Sequence, residues 1–105
     1  EVPKKRPELF VKAESGDTLA RHPTWGSITT DWAVPAYRRY MADLVTHDLT
    51  TYGIDGYRVD AASYKGPAWN AALPYPAYRP GAAAPELMRA MRDALRAKKK
   101  DAMLL

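Results

Sequence analysis

Tyr52-Gly53-Ile54-Asp55-Gly56-Tyr57-Arg58-Val59-Asp60-Ala61-Ala62 is the stretch on which the fold turns. Gly53 halts whatever precedes it. The run from Ile54 to Asp60 is rich in aromatic and β-branched residues and too short for a helix, so it reads as a strand. A period of two then puts Arg58 and Asp60 on one face, with Tyr57 and Val59 on the other. A guanidinium beside a carboxyl group favours the ionised carboxylate, so Asp60 is expected to stay charged.

Upstream of this strand lies the clearest helical pattern in the chain. Tyr37, Tyr40, Met41, Leu44, Val45, Leu49 and Tyr52 recur at helical spacing and line one face. Pro35 suits the first turn, where its missing N–H costs nothing, and Gly53 suits the left-handed residue that ends a helix. The spacing therefore predicts a helix from Pro35 to Tyr52. Downstream, prolines at 67, 74, 76 and 80 and glycines at 66 and 81 predict a long loop from Ala61 to Ala84. A second helix is expected to begin near Pro85, with Leu87, Met88, Met91 and Leu95 on one side and Arg89, Arg92, Asp93 and Arg96 largely on the other. Ala102-Met103-Leu104-Leu105 reads as the start of a buried strand. Residues 1–30 show no sustained period and read as an irregular N-terminal segment, with at most a short strand near Leu9 to Val11.

Helix, strand, long loop, helix, strand is the alternation of an α/β fold with parallel strands. Two strands do not cover both faces of a parallel sheet. Residues 31–105 are accordingly expected to be a segment of a larger barrel or doubly wound domain, read as a fragment of a (β/α)₈ TIM barrel, with the rest supplied by further sequence.

Composition sets the outer limits. The chain has 105 residues, 47% of them hydrophobic and 27% charged, and no cysteine, which leaves no disulfide framework or thiolate metal site. No apolar run approaches the roughly 18 residues of a membrane helix, and no charged-then-apolar leader follows Glu1. The net charge of +4 is concentrated in Lys4, Lys5 and Arg6 and in Lys98, Lys99 and Lys100. A solvated tail and a helix C-terminus, where cations oppose the dipole, account for these clusters without nucleic acid. His22 and His47 have no ligand partner at metal-binding spacing, and no metal or cofactor is expected.

The stretch Gly56-Tyr57-Arg58-Val59-Asp60-Ala61 resembles the second signature region of the alpha-amylase superfamily, glycoside hydrolase family 13, which reads Gly-aromatic-Arg-aliphatic-Asp-Ala on the fourth barrel strand. Asp31-Trp32-Ala33-Val34-Pro35 is similar to that family's lead-in to the preceding helix, and Asp101 to Leu105 to its approach to the fifth strand. The resemblance implies a retaining glycosidase acting on α-glucosides or α-glucans. Asp60 would be the nucleophile of a covalent glycosyl-enzyme intermediate and Arg58 its orienting partner. The acid/base glutamate would follow Leu105, so the 105 residues alone are expected to be inactive. Many family members carry Lys-His after the nucleophile's Asp-Ala pair; here Ser63-Tyr64 stand there, followed by Lys65. Tyr64 and Lys65 are candidate sugar contacts, and Trp69 in the long loop is the candidate platform for a sugar ring. An oligo- or polysaccharide is thus the expected partner, with no nucleic acid and no membrane. Three competing readings stay open: a non-catalytic barrel relative that binds carbohydrate or partners, a basic nucleic-acid-binding module, and another barrel enzyme whose strand end happens to read Arg-x-Asp.

Overall fold

The computed structural model describes residues 1–12, 19–21, 26–60 and 78–105, with only the backbone of 78–82. In chain order the elements are α1 (Val2–Lys5), a 3₁₀ turn (Pro7–Leu9), α2 (Pro35–Tyr52), β1 (Gly56–Tyr57), α3 (Tyr78–Lys98) and β2 (Met103–Leu104).

Helix α2 has the limits that its periodicity predicts. Pro35 opens it, and Gly53 closes it at φ 65° and ψ 29°, its N–H donating to the Leu49 carbonyl at 3.1 Å. Such a conformation is costly for residues with a Cβ. The entry is built by Asp31, whose Oδ1 accepts from the Ala33 N–H at 3.0 Å. Arg38 then reaches back to the Trp32 and Ala33 carbonyls and forms a 2.7 Å ion pair with Glu86. That one guanidinium ties the lead-in, α2 and α3 together.

Helix α3 starts at Tyr78, not near Pro85. Ala82-Ala83-Ala84 are strong helix formers, and they carry the helix through Pro85, which lacks an N–H for the preceding turn. Val45, Leu49 and Tyr37 of α2 pack with Leu87, Met91 and Leu95 of α3 in one core that also takes in Leu9 and Ala102. At about 25 cal/mol per Å² of apolar surface removed from water, this helix-on-helix contact is the main stabilising term.

The sheet has two strands, β1 and β2, paired in parallel with Gly56 opposite Met103 and Tyr57 opposite Leu104. Ladder bonds extend past the strand limits: Met103 N–H to Asp55 C=O at 3.0 Å, Leu105 N–H to Tyr57 C=O at 3.0 Å, and Val59 N–H to Leu105 C=O at 2.8 Å. Helix α3 is the crossover between the strands. Lys99, just past its end, pairs with Asp55 at the start of the ladder.

These observations correct the barrel expectation. A (β/α)₈ barrel closes eight tilted strands on themselves. The described residues form three helices and one sheet of two strands, each two residues long, and helix dominates. The strand expected from Ile54 to Asp60 is confined to Gly56–Tyr57, the two residues that pair in register with β2. The C-terminal run is not buried as expected either: Ala102 is, but Met103 and Leu105 are exposed. Near Leu9 to Val11 there is no strand. Single antiparallel bridges join Phe10 to Thr30, Lys12 to Leu19 and Arg21 to Ile28.

Two outcomes follow. Gly56 has φ +150°, and a Cβ there would overlap the Met103 carbonyl oxygen while lying 2.7 Å from its carbonyl carbon and amide nitrogen. Gly56→Ala should lower unfolding free energy by at least about 2 kcal/mol in urea denaturation. Hydrogen bonding from Lys99, and then its charge, hold the Asp55 carboxyl below the usual carboxylate value. A depressed folded-state pKa gives stability that is present above the unfolded value and lost as pH falls through the folded one. Asp55 in turn raises the pKa of the Lys99 ammonium through the same contact, so Asp55→Asn should flatten the acid limb of the stability profile and also remove the part of the alkaline loss that belongs to Lys99.

Candidate functional site

Arg58 and Asp60 share a face as their spacing predicts. Arg58 Nη2 donates to Asp60 Oδ1 at 2.8 Å, and the two side chains are 75% and 78% exposed. Water screens an exposed pair of this kind strongly. The pair stands at the end of the ladder, flanking Val59, whose N–H bonds to the Leu105 carbonyl. Tyr57 and Val59, on the opposite face, are half-buried and pack on the core.

The Tyr57 hydroxyl donates to the Asp48 carboxylate. Desolvation, followed by the Asp48 hydrogen bond and charge, pushes the Tyr57 phenol up to about 12. Asp48 was not among the residues singled out from the sequence, yet a signal was present. It lies seven residues after Met41 and three after Val45, so a carboxylate occupies the apolar face of α2.

Helix α2, helix α3 and the segment from Tyr57 to Asp60 enclose a concave cavity of about 270 Å³. Asp48 and Tyr57 line it together with Trp32, Met41 and Met88, and Arg58 and Asp60 also reach it. Trp32 is oriented by an Nε1 hydrogen bond to Thr30 Oγ1 at 3.0 Å. The chemistry available is therefore one exposed carboxylate paired to a guanidinium, and a second carboxylate engaged by a phenol, beside apolar walls.

The other site candidates read from the sequence, Tyr64, Lys65 and Trp69, fall outside the described residues, as does His22. His47 is exposed on α2, edge-on to Tyr52 with ring centroids 6.4 Å apart. Among the described residues no group of three or more His, Cys, Asp or Glu side chains could hold a metal ion, and no helix is long and apolar enough to cross a membrane. In the basic N-terminal cluster, Lys5 pairs with Glu1 and Arg6 with Glu8. No protein-family model matches the chain, and no curated protein matches it.

The Tyr57–Asp48 bond makes a spectroscopic prediction. A raised phenol pKa gives stability that is complete below the unfolded value near 10 and is lost as pH rises toward about 12. Ultraviolet titration should show Tyr57 ionising well after the exposed tyrosines, with buried Tyr37, whose phenol pKa burial also raises, likewise late. In that titration the Tyr57 step is the one that responds to Asp48. Asp48→Asn should bring it part of the way back and no further, because burial is the larger cause.

Proposed function

We propose that Asp60 is the nucleophile of a retaining glycoside hydrolase acting on α-glucosides or α-glucans, with Arg58 as the group that orients it. The supporting observation is the 2.8 Å Arg58–Asp60 contact at the end of the β1 ladder, within a stretch that resembles the alpha-amylase superfamily's nucleophile region. A carboxylate at a strand end, accessible and paired with a guanidinium, can attack an anomeric carbon. Retention also requires a second carboxyl group about 5 to 5.5 Å away, acting first as acid and then as base. The resemblance puts that group after Leu105. Asp48 is a poor substitute, since its carboxylate already accepts the Tyr57 hydroxyl.

A substrate whose leaving group needs no protonation separates the nucleophile from the missing acid. With a 5-fluoro-glucosyl fluoride, the Asp60 carboxylate oxygen bonds to the anomeric carbon, the carbon–fluorine bond there breaks, and fluoride departs. Peptide mass spectrometry should place the glycosyl adduct on Asp60 and find none in Asp60→Asn. Hydrolysis of unactivated glucosides by these 105 residues should stay at the buffer rate. An unlabelled Asp60 overturns the assignment.

A further inference from the structure

The cavity between α2 and α3 has a chemistry that sugar cleavage does not use. Its walls combine three methionines, Met41, Met88 and Met91, with the rings of Trp32, Tyr37 and Tyr57. Thioethers and aromatic edges offer almost nothing to the hydroxyls of a carbohydrate, and burying those hydroxyls unpaired is costly. Methionine does adapt its shape to an apolar body, and Trp and Tyr faces attract cations.

Charge narrows the ligand further. The charged residues lining this cavity are Asp48, Asp60 and Arg58, two carboxylates against one guanidinium. Asp60 and Arg58 neutralise each other across 2.8 Å and are mostly in solvent. Among the described residues Asp48 has no ion-pair partner; it is half-buried on the apolar face of α2, and its carboxylate, which can accept several hydrogen bonds, takes one from the Tyr57 hydroxyl. A volume of about 270 Å³ lies just below the range of drug-sized pockets, which suits a small ligand.

We propose that this cavity binds a small organic cation, an ammonium group carried on an apolar aryl or alkyl body, with the ammonium at Asp48 and the body against Met41, Met88 and Met91. Arg58 and Asp60 also reach this cavity, but the proposal rests on Asp48 and the methionines and does not need Asp60 to act as a nucleophile.

The methionines supply the test. Of the chain's four, Met41, Met88 and Met91 line the cavity, while Met103 lies on the exposed strand β2. Phenethylammonium chloride titrated into the full chain with methyl-labelled methionine should shift the first three methyl resonances and leave Met103 in place. Neutral 2-phenylethanol, of similar shape, should bind at least about tenfold more weakly, and this comparison needs no mutation. Asp48→Asn should reduce the ammonium's affinity to that of the alcohol, while Asp43→Asn, on the exposed side of α2, should not change it. Equal binding of alcohol and ammonium, or no shift of the three methionines, overturns the proposal.

Discussion

The close approach of Gly56 to the Met103 backbone is the constraint on which the arrangement depends. Only a residue without a Cβ permits this parallel register. The register brings the chain after α3 alongside the chain after α2, so that Lys99 meets Asp55 and the Tyr57 hydroxyl meets Asp48. Two strands of two residues would not persist alone. The helices α2 and α3, sharing the core of Val45, Leu49, Leu87, Met91 and Leu95, hold the strands in place.

Strand geometry gives neighbouring residues different chemistry. Tyr57 and Val59 turn to the helices; Arg58 and Asp60 turn to solvent. On the inner face, burial and a carboxylate suppress ionisation of a phenol. On the outer face, an ion pair of normal length is screened by water on most of its surface. One short segment thus serves an accessible carboxylate on one side and an apolar cavity with a half-buried carboxylate on the other. The two candidate functions draw on different residues of this segment, although Arg58 and Asp60 also reach the cavity.

How much of this could be read from the residues depends on the range of the interaction. The limits of α2 were legible, since Pro35, Gly53 and the apolar period between them are local signals. So was the sharing of a face by Arg58 and Asp60. The start of α3 was not, because Pro80, Gly81 and Pro85 read as breakers while the alanines between them favour helix. The barrel expectation followed from the alternation of elements, and it failed because alternation says nothing of how many strands pair.

The sequence alone therefore determined the helix Pro35–Tyr52, the turn at Gly53 and the common face of residues 58 and 60, because each depends on backbone periodicity and on residues close in the chain. Tertiary structure decided that Asp48 receives Tyr57, that Arg38 clasps Glu86, that Leu9 joins the core and that a cavity opens between α2 and α3. Those contacts join distant segments or different elements, and their partners are chosen by packing and register, which no local pattern encodes.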